Sequence, residues 1–166
     1  MDFQRQTNRR LYEEHVATIE LLNRVERTFG GRAGAYPPAE GDSSWPAFAR
    51  TVIGALEVEV ARHFEFEERE LFPRLEEAGD GDLVALLNEE HTTIREVAGP
   101  LAELLRKSLA GGMQPADWQR MKTLALELSE RLGSHAQKED GSLLAVLEDL
   151  LDEDTDRELF AAYAAG

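Results

Sequence analysis

The sequence predicts an all-α fold: an antiparallel, up-down-up-down four-helix bundle followed by a short extra C-terminal helix. Apolar residues recur at helical spacing along four long stretches, and no stretch shows the alternation that is typical of a strand. Two of the three connections between these stretches are short, which favours antiparallel neighbours. At 166 residues, the chain is expected to form one domain over 1–166, large enough to bury a core.

Glycine and proline signals delimit the helices. Gly30 is expected to end the first helix, Pro115 to open the fourth, and Gly141 to weaken it. Pro73 is expected to kink the second helix or end its regular part, because proline lacks an amide hydrogen and its ring clashes with the preceding turn. The acidic segment 152–156 predicts a turn, and no internal repeat is evident. The expected helix ranges are about 2–29, 44–78, 83–110, 115–150 and 157–164.

Composition excludes several classes of protein. With 18 basic and 33 acidic residues the net charge is −15, which argues against non-specific binding to nucleic acid or anionic membranes. The absence of cysteine excludes disulfides, zinc fingers, cysteine-ligated iron–sulfur clusters and thiol nucleophiles. The start of the chain has no secretory-signal pattern, and the longest apolar run, 143–147, cannot span a bilayer. A cytoplasmic location is therefore expected.

Polar residues interrupt the apolar lane of the second helix. His63 and Glu67, in RHFEFEERELFPRL, are four residues apart and therefore share one helix face with the apolar residues. Burying them unpaired would cost several kcal/mol, so they need a partner, and a metal ion would serve. The same spacing recurs at His135 and Glu139, in SHAQKEDGSLL on the fourth helix.

His15 and His91 occupy similar lanes on the first and third helices, so all four histidines of the chain face the predicted core. A single histidine on an apolar face is usually a satisfied core residue, and a carboxylate beside such a lane could be a surface residue. Four histidines falling by chance on a stripe that fills about three of seven positions is, however, roughly a 3% event.

Counting along the helices places these side chains at similar depths. His91 and His135 each lie about 19 residues from the connection between their helices, and Glu67 matches His91 within about 3 Å. His15 and His63 differ by about 6 Å, which is within the uncertainty of the expected boundaries. We therefore expect six ligand-capable side chains to converge on one level of the bundle.

The composition of this set constrains the metal. Four imidazoles and two carboxylates are too many for one tetrahedral zinc ion and too rich in nitrogen for calcium or magnesium. Two ions, each with two imidazoles and bridged by both carboxylates, would use all six ligands. Iron suits this mixed set best, manganese is second, and zinc is less suitable.

The ordered series of motifs resembles the hemerythrin-like (HHE cation-binding) domain family. It comprises a first-helix histidine, then HFEFEERELFP, EEH and HAQKE, and it spans residues 15–139. The resemblance implies a non-haem di-iron centre, carboxylate- and oxo- or hydroxo-bridged, in an up-down-up-down bundle. It also implies a ligand role for six residues: His15 and His63 on one iron, His91 and His135 on the other, and Glu67 and Glu139 as bridges.

One position departs from the oxygen-carrying hemerythrins, which have a second histidine on the third helix one turn from the first. Here the residues one turn either side of His91 are Leu87 and Arg95, so one iron has one imidazole fewer than in the carriers. This departure disfavours simple reversible oxygen carriage. Residues adjacent to the ligands in sequence are expected to be surface or supporting residues rather than direct ligands: Tyr12, Glu14, Glu68 and Glu90.

Four functions remain open at the level of sequence. The first is a di-iron protein whose centre responds to dioxygen, nitric oxide or redox state. The second is an enzyme that disproportionates peroxide or reduces another small oxidant at that centre. The third is iron storage or repair, and the fourth is a metal-free helical interaction module. The expected partner of the first two is a small molecule such as dioxygen, nitric oxide or peroxide, with no nucleic acid and no membrane.

Overall fold

The computed structural model describes residues 3–39, 41–111 and 113–165, and in these ranges the chain is all-helical, forming a helical bundle without strands. The predicted start of the first helix at Asp2 lies outside the described residues. A short 3-10 turn at Ala33–Ala35 lies in the first connection. We label the helices α1 (Gln6–Phe29), α2 (a continuous rod over 44–78), α3 (Gly81–Leu109), α4 (Pro115–Gly141), α5 (Leu143–Leu150) and α6 (Glu153–Ala165). Within the described ranges, no helix has the length and apolar character needed to cross a membrane.

The rod α2 alternates between α-helical and wider π-helical turns. Its α segments are Ser44–Leu56, Phe64–Phe66 and Phe72–Ala78, and its π segments are Glu57–His63 and Glu67–Leu71. The helix therefore continues through Pro73, which lies in the first turn after a π segment. The wider turn changes the hydrogen-bond register where proline lacks its amide hydrogen, so the rod need not end there. His63 closes the first π segment and Glu67 opens the second, and π turns are frequent at functional sites.

Two predicted boundaries differ from the structure. The expected fourth helix is divided at Ser142, whose φ and ψ are −127° and −69°, so that α5 is a separate helix after Gly141. The last helix begins at Glu153 rather than at residue 157, because the side chain of Asp152 accepts a hydrogen bond from the Thr155 amide at 2.8 Å. The acidic residues expected in a turn therefore occupy the first turn of α6, where the helix dipole favours negative charge.

The C-terminal segment is fastened to the start of α1. The Asp156 carboxylate of α6 accepts hydrogen bonds from the amides of Gln6 and Thr7, at 2.8 and 2.9 Å. From α5, the Glu148 carboxylate accepts one from the side-chain amide of Asn8 at 2.8 Å. The two Asp156 contacts satisfy backbone amides at the first turn of α1 that have no partner within the helix, and the Glu148 contact ties the Asn8 side chain to α5. The short C-terminal helix is thus part of the packed structure.

Two apolar clusters form the core, with buried polar side chains between them. One cluster, on the side of the first connection, includes Phe29, Trp45 and Trp118. The other, on the side of α5 and α6, includes Leu87 and Leu144. Along α1, α2 and α3, the histidine lies between residues of one cluster and residues of the other, and His135 of α4 lies between the first cluster and the residues of α5 in the second. This arrangement surrounds the polar layer with apolar side chains.

Candidate metal centre

The six predicted side chains meet in the polar layer. None is more than 1% exposed. Their ligand atoms form two groups, each with all atoms within 4.8 Å of one another. The first pocket comprises His15, His63, Glu67 and Glu139; the second pocket comprises Glu67, His91, His135 and Glu139. The two carboxylates thus belong to both pockets.

In the first pocket, two imidazole nitrogens face one another across a short gap. Nε2 of His15 is 3.2 Å from Nε2 of His63. Nε2 of His63 is 3.0 Å from Oε1 of Glu67, and Nε2 of His15 is 3.2 Å from Oε2 of Glu139. Counting residues along the helices predicts a difference in depth of about 6 Å between His15 and His63. In the folded chain their Nε2 atoms meet, so this difference is absent.

The second pocket repeats this arrangement. Nε2 of His91 is 3.0 Å from Nε2 of His135. Nε2 of His135 is 3.1 Å from Oε1 of Glu139, and Nε2 of His91 is 3.4 Å from Oε2 of Glu67. Each carboxylate therefore turns one oxygen to each pocket. This is the disposition that a carboxylate needs to bridge two ions.

The pockets fit metal ions in both hydrogen bonding and dimensions. Oε2 of Glu67 and both oxygens of Glu139 are buried and have no hydrogen-bond partner among the described residues. Orphaned carboxylate oxygens are costly in a protein interior. With metal–ligand bonds of about 2.1 Å, adjacent ligands at right angles lie about 3.0 Å apart, against about 3.4 Å in a tetrahedron. The nitrogen–nitrogen distance of 3.0 Å in the second pocket matches the right-angled geometry, and the distance of 3.2 Å in the first pocket lies midway between the two geometries.

An outer carboxylate orients each histidine through the opposite ring nitrogen, Nδ1. The four pairs are His15 with Asp140 at 2.7 Å, His63 with Glu14 at 3.0 Å, His91 with Glu68 at 2.8 Å and His135 with Glu90 at 2.9 Å. Because each Nδ1–H donates outward, each Nε2 is directed into a pocket, and the carboxylate increases the basicity of the ring. Glu14, Glu68 and Glu90 thus have the expected supporting position, whereas Tyr12 packs on Phe3 at the edge of the second apolar cluster.

Sequence reasoning missed Asp140, and an internal repeat would have revealed it. Glu14–His15 followed by His63-x-x-x-Glu67–Glu68 has a counterpart in Glu90–His91 followed by His135-x-x-x-Glu139–Asp140. We call this recurring polar pattern the internal repeat. The repeat consists of a few polar residues separated by long divergent stretches, so it cannot be seen as ordinary sequence similarity.

Further groups hold three of the outer carboxylates. Arg95 pairs with Glu68 at 2.7 Å, and Lys138 donates to Glu90. Glu14 is 2.8 Å from Arg10 and accepts a hydrogen bond from the phenol of Tyr163 on α6. No sequence signal identified Tyr163, because it lies 149 residues from Glu14 in the chain.

Neither of the residues one turn either side of His91 contributes an atom to a pocket. Leu87 is fully buried in the second apolar cluster. Arg95 extends over the ring of Phe64, at 5.4 Å from its centroid, to reach Glu68. Phe64 in turn stacks on His91, with ring centroids 3.7 Å apart. Each pocket therefore contains the same candidate ligands, two imidazoles and the two shared carboxylates.

The carboxylates favour protonated histidines in the metal-free centre. Burial alone would lower the pKa of His15, but the carboxylates of Asp140 and Glu139 raise it to about 9. His91 has its pKa raised to about 9 by Glu139 and Glu67, again against the effect of burial. Burial would raise the pKa of Glu139, yet the surrounding imidazoles hold it well below its usual range. A metal ion must therefore displace protons when it binds.

Comparison with known proteins assigns the chain to a family. No curated protein sequence matches it. The model of the hemerythrin HHE cation binding domain matches residues 6–159, which includes all six side chains of the two pockets and all four outer carboxylates. This match covers nearly the whole chain, and the buried histidine and glutamate groups fit a metal-binding member. The chain therefore belongs to the hemerythrin HHE cation-binding domain family.

Proposed function

We propose that the chain binds two iron ions, bridged by Glu67 and Glu139, and that this centre responds to dioxygen, nitric oxide or redox state. His15 and His63 would hold one ion, and His91 and His135 the other. The observation that carries the proposal is the division of the two buried carboxylates, each with one oxygen in each pocket. Iron suits the mixed nitrogen and oxygen set, and the nitrogen–nitrogen distance in the second pocket favours an ion with right-angled ligands over tetrahedral zinc.

Small-molecule binding follows from the ligand count. Each pocket offers two imidazole nitrogens and two carboxylate oxygens, so a six-coordinate ion would keep two positions for exogenous ligands. The surrounding apolar clusters would exclude bulk water and admit small neutral molecules. The chain's own residues would bind and orient the ions, while the ions would supply the redox chemistry.

The proposal is tested by metal content and by the optical spectrum of protein loaded with iron. We expect about two irons per chain, near-ultraviolet bands of a bridged ferric pair, and a spectral change when nitric oxide or dioxygen is added to the reduced protein. One zinc per chain with no affinity for iron would contradict the di-iron assignment. Two bound irons whose spectra are insensitive to these gases would contradict the sensing role alone.

Peroxide disproportionation is a second candidate, and the residues one turn either side of His91 favour it. The oxygen carriers have a further histidine one turn from this position, whereas here Leu87 is buried among apolar side chains and Arg95 pairs with Glu68, so the second ion would be as open as the first. The four histidines and the two carboxylates of the pockets would hold the two ions with equal numbers of open positions, and the ions would supply the redox chemistry for peroxide. We expect oxygen evolution from the iron-loaded protein on addition of hydrogen peroxide, with two peroxides giving two waters and one dioxygen. A rate no greater than that of free iron would exclude this activity.

We also infer that the long helices run up, down, up and down. Side-chain pairs between successive helices meet in reverse sequence order, which supports this topology. The pairs are Glu14–His63 and Thr18–Glu59 for α1 and α2, Glu57–Arg106 and Glu68–Arg95 for α2 and α3, and Glu90–Lys138 and Lys107–Asp117 for α3 and α4. Reversing the direction of any one helix would separate its pairs, which an experimental structure would reveal.

A further inference from the structure

We propose that Tyr163 is a positioning residue for the first pocket: its phenol fixes Glu14, and through Glu14 it fixes the ring of His63. The docked helix α6 would thereby be needed for full metal affinity at the first pocket and not at the second. This proposal rests on the proposed metal-binding function. Tyr163 lies beyond residues 6–159, so the family match does not include it.

The phenol of Tyr163 acts on the same atom that orients His63. Oε2 of Glu14 accepts a hydrogen bond from the Tyr163 hydroxyl and also lies 3.0 Å from Nδ1 of His63. Glu14 and Tyr163 are both buried, and the Tyr163 ring packs on Phe66 with centroids 4.5 Å apart. Arg62 lies over the same ring at 4.7 Å and donates to the Tyr163 carbonyl. These contacts, together with the edge-on approach of the Tyr163 ring to the His63 ring at 6.4 Å between centroids, hold the hydroxyl in place; Tyr163→Phe keeps the ring contacts and removes only the hydroxyl.

His63 has a second carboxylate within reach, which is why Glu14 needs to be fixed. Oε1 of Glu59 lies 4.0 Å from Nδ1 of His63, and Glu59 is itself buried. Thr18 donates to the other oxygen of Glu59 at 2.9 Å and restrains it. If Glu14 were released, the imidazole could turn towards Glu59 and carry its Nε2 away from the pocket. The phenol thus selects one of two ring orientations.

The internal repeat provides a built-in comparison. Glu90 is the counterpart of Glu14, and there the supporting donor is Lys138, a partly exposed residue of α4 itself. At Glu14, Arg10 of α1 pairs with Oε1, whereas the donor to Oε2, the oxygen that faces His63, comes from α6, outside the four long helices, and is a neutral phenol. Burial and the neighbouring Glu14 raise the pKa of Tyr163 above its usual value, so the hydroxyl stays a donor. The two pockets share their ligands and differ in this support.

The test measures metal affinity one pocket at a time. In a His91→Ala background, only the first pocket keeps both imidazoles; in a His15→Ala background, only the second does. Cobalt(II), whose absorption reports coordination, is titrated anaerobically into each. We expect Tyr163→Phe to weaken cobalt binding about 10- to 100-fold in the first background and to leave it unchanged in the second.

Two further variants separate positioning from general destabilisation. Tyr12→Phe removes a phenol hydroxyl at the edge of the same apolar cluster without touching either pocket, so it should change neither affinity. Glu14→Gln acts from α1 and leaves α6 intact, so it should reproduce the selective loss. Combining Glu14→Gln with Tyr163→Phe should cost little more than either change alone, because the phenol acts through Glu14.

Several results would overturn the proposal. One is unchanged affinity in Tyr163→Phe, and another is equal weakening of both pockets. Strict additivity with Glu14→Gln would show that the phenol does not act through that carboxylate. If the unmodified chain bound cobalt, iron and zinc at neither pocket, the metal-binding function itself would fall. That result differs from one in which both pockets bind metal and Tyr163→Phe changes neither affinity.

Discussion

Metal binding to this centre should release about one proton per ion at neutral pH. The two Nε2 atoms of each histidine pair are 3.2 and 3.0 Å apart, which leaves room for one proton between them. All four Nδ1 atoms donate to outer carboxylates, so each pair carries one excess proton and titrates as a unit. With the pKa of His15 and His91 raised to about 9, each pair remains protonated at pH 7.

The magnitude follows from the difference between this pKa and the ordinary value. A histidine of ordinary pKa, about 6.5, would release only about 0.2 proton at pH 7. Protonation at a pKa of about 9 lowers metal affinity at pH 7 about 100-fold, or about 2.7 kcal/mol per pocket. Affinity should therefore rise about tenfold per pH unit between pH 7 and 9 and then level off. Calorimetric titration in two buffers of different ionisation enthalpy counts the protons.

A matched pair of variants strengthens this test. Asp140→Asn removes a carboxylate that raises the pKa of His15, so it should reduce proton release from the first pocket. Asp154→Asn, on an exposed side chain of α6, should have no effect. If the released protons came from a water molecule on the metal, proton release would continue above pH 9, whereas release from the imidazoles would stop there. Release of less than half a proton per ion at pH 7 would refute the view that these histidines are charged in the metal-free protein.

Three further outcomes follow from the same structure. Glu139→Gln should reduce metal content at both pockets, because this carboxylate contributes to both, whereas His91→Ala should remove one ion. Equal losses of metal in the two variants, measured by elemental analysis, would contradict the bridging role. The metal-free protein should lose thermal stability between pH 7 and 9. Folding raises the pKa of His15 and His91 to about 9, so their protonation stabilises the fold fully only below the pKa of the unfolded chain, and this stabilisation is lost as the pH rises to about 9. A melting temperature that rises over this range would contradict the prediction. Asp156→Asn should lower the free energy of unfolding by about 1–2 kcal/mol, with or without metal, because the Asp156 carboxylate caps α1. Urea denaturation measures this change, and Asp154→Asn, at an exposed side chain, is the control.

The helical period explains why so much of the centre could be predicted. Residues three or four apart share a helix face, so the position of His63 fixes that of Glu67, and the apolar lane fixes the direction of both. Four such lanes in a bundle bring their polar residues together wherever their depths agree. The convergence of the six side chains required no knowledge of rotamers.

Other features depend on information that the periodicity does not contain. The π segments around His63 preserve the inward face while changing backbone register, so they leave no trace in the pattern. The break at Ser142 lies inside a continuous apolar lane. Which carboxylate meets which Nδ1 is decided by side-chain rotamers, and the Tyr163–Glu14 bond depends on the docking of α6. Local sequence specifies the six buried side chains, while tertiary packing specifies which residues orient them.

Charge balance accounts for a core that holds six polar side chains before any ion is bound. Two excess protons on the histidine pairs offset the charges of Glu67 and Glu139, and three of the four outer carboxylates have a cationic neighbour. The metal-free layer is therefore nearly neutral, which limits the cost of burying it. Metal binding replaces protons in pockets that already exist, whereas a small zinc domain folds only around its ion. The bundle should consequently remain folded without metal, and binding should stabilise it by mass action.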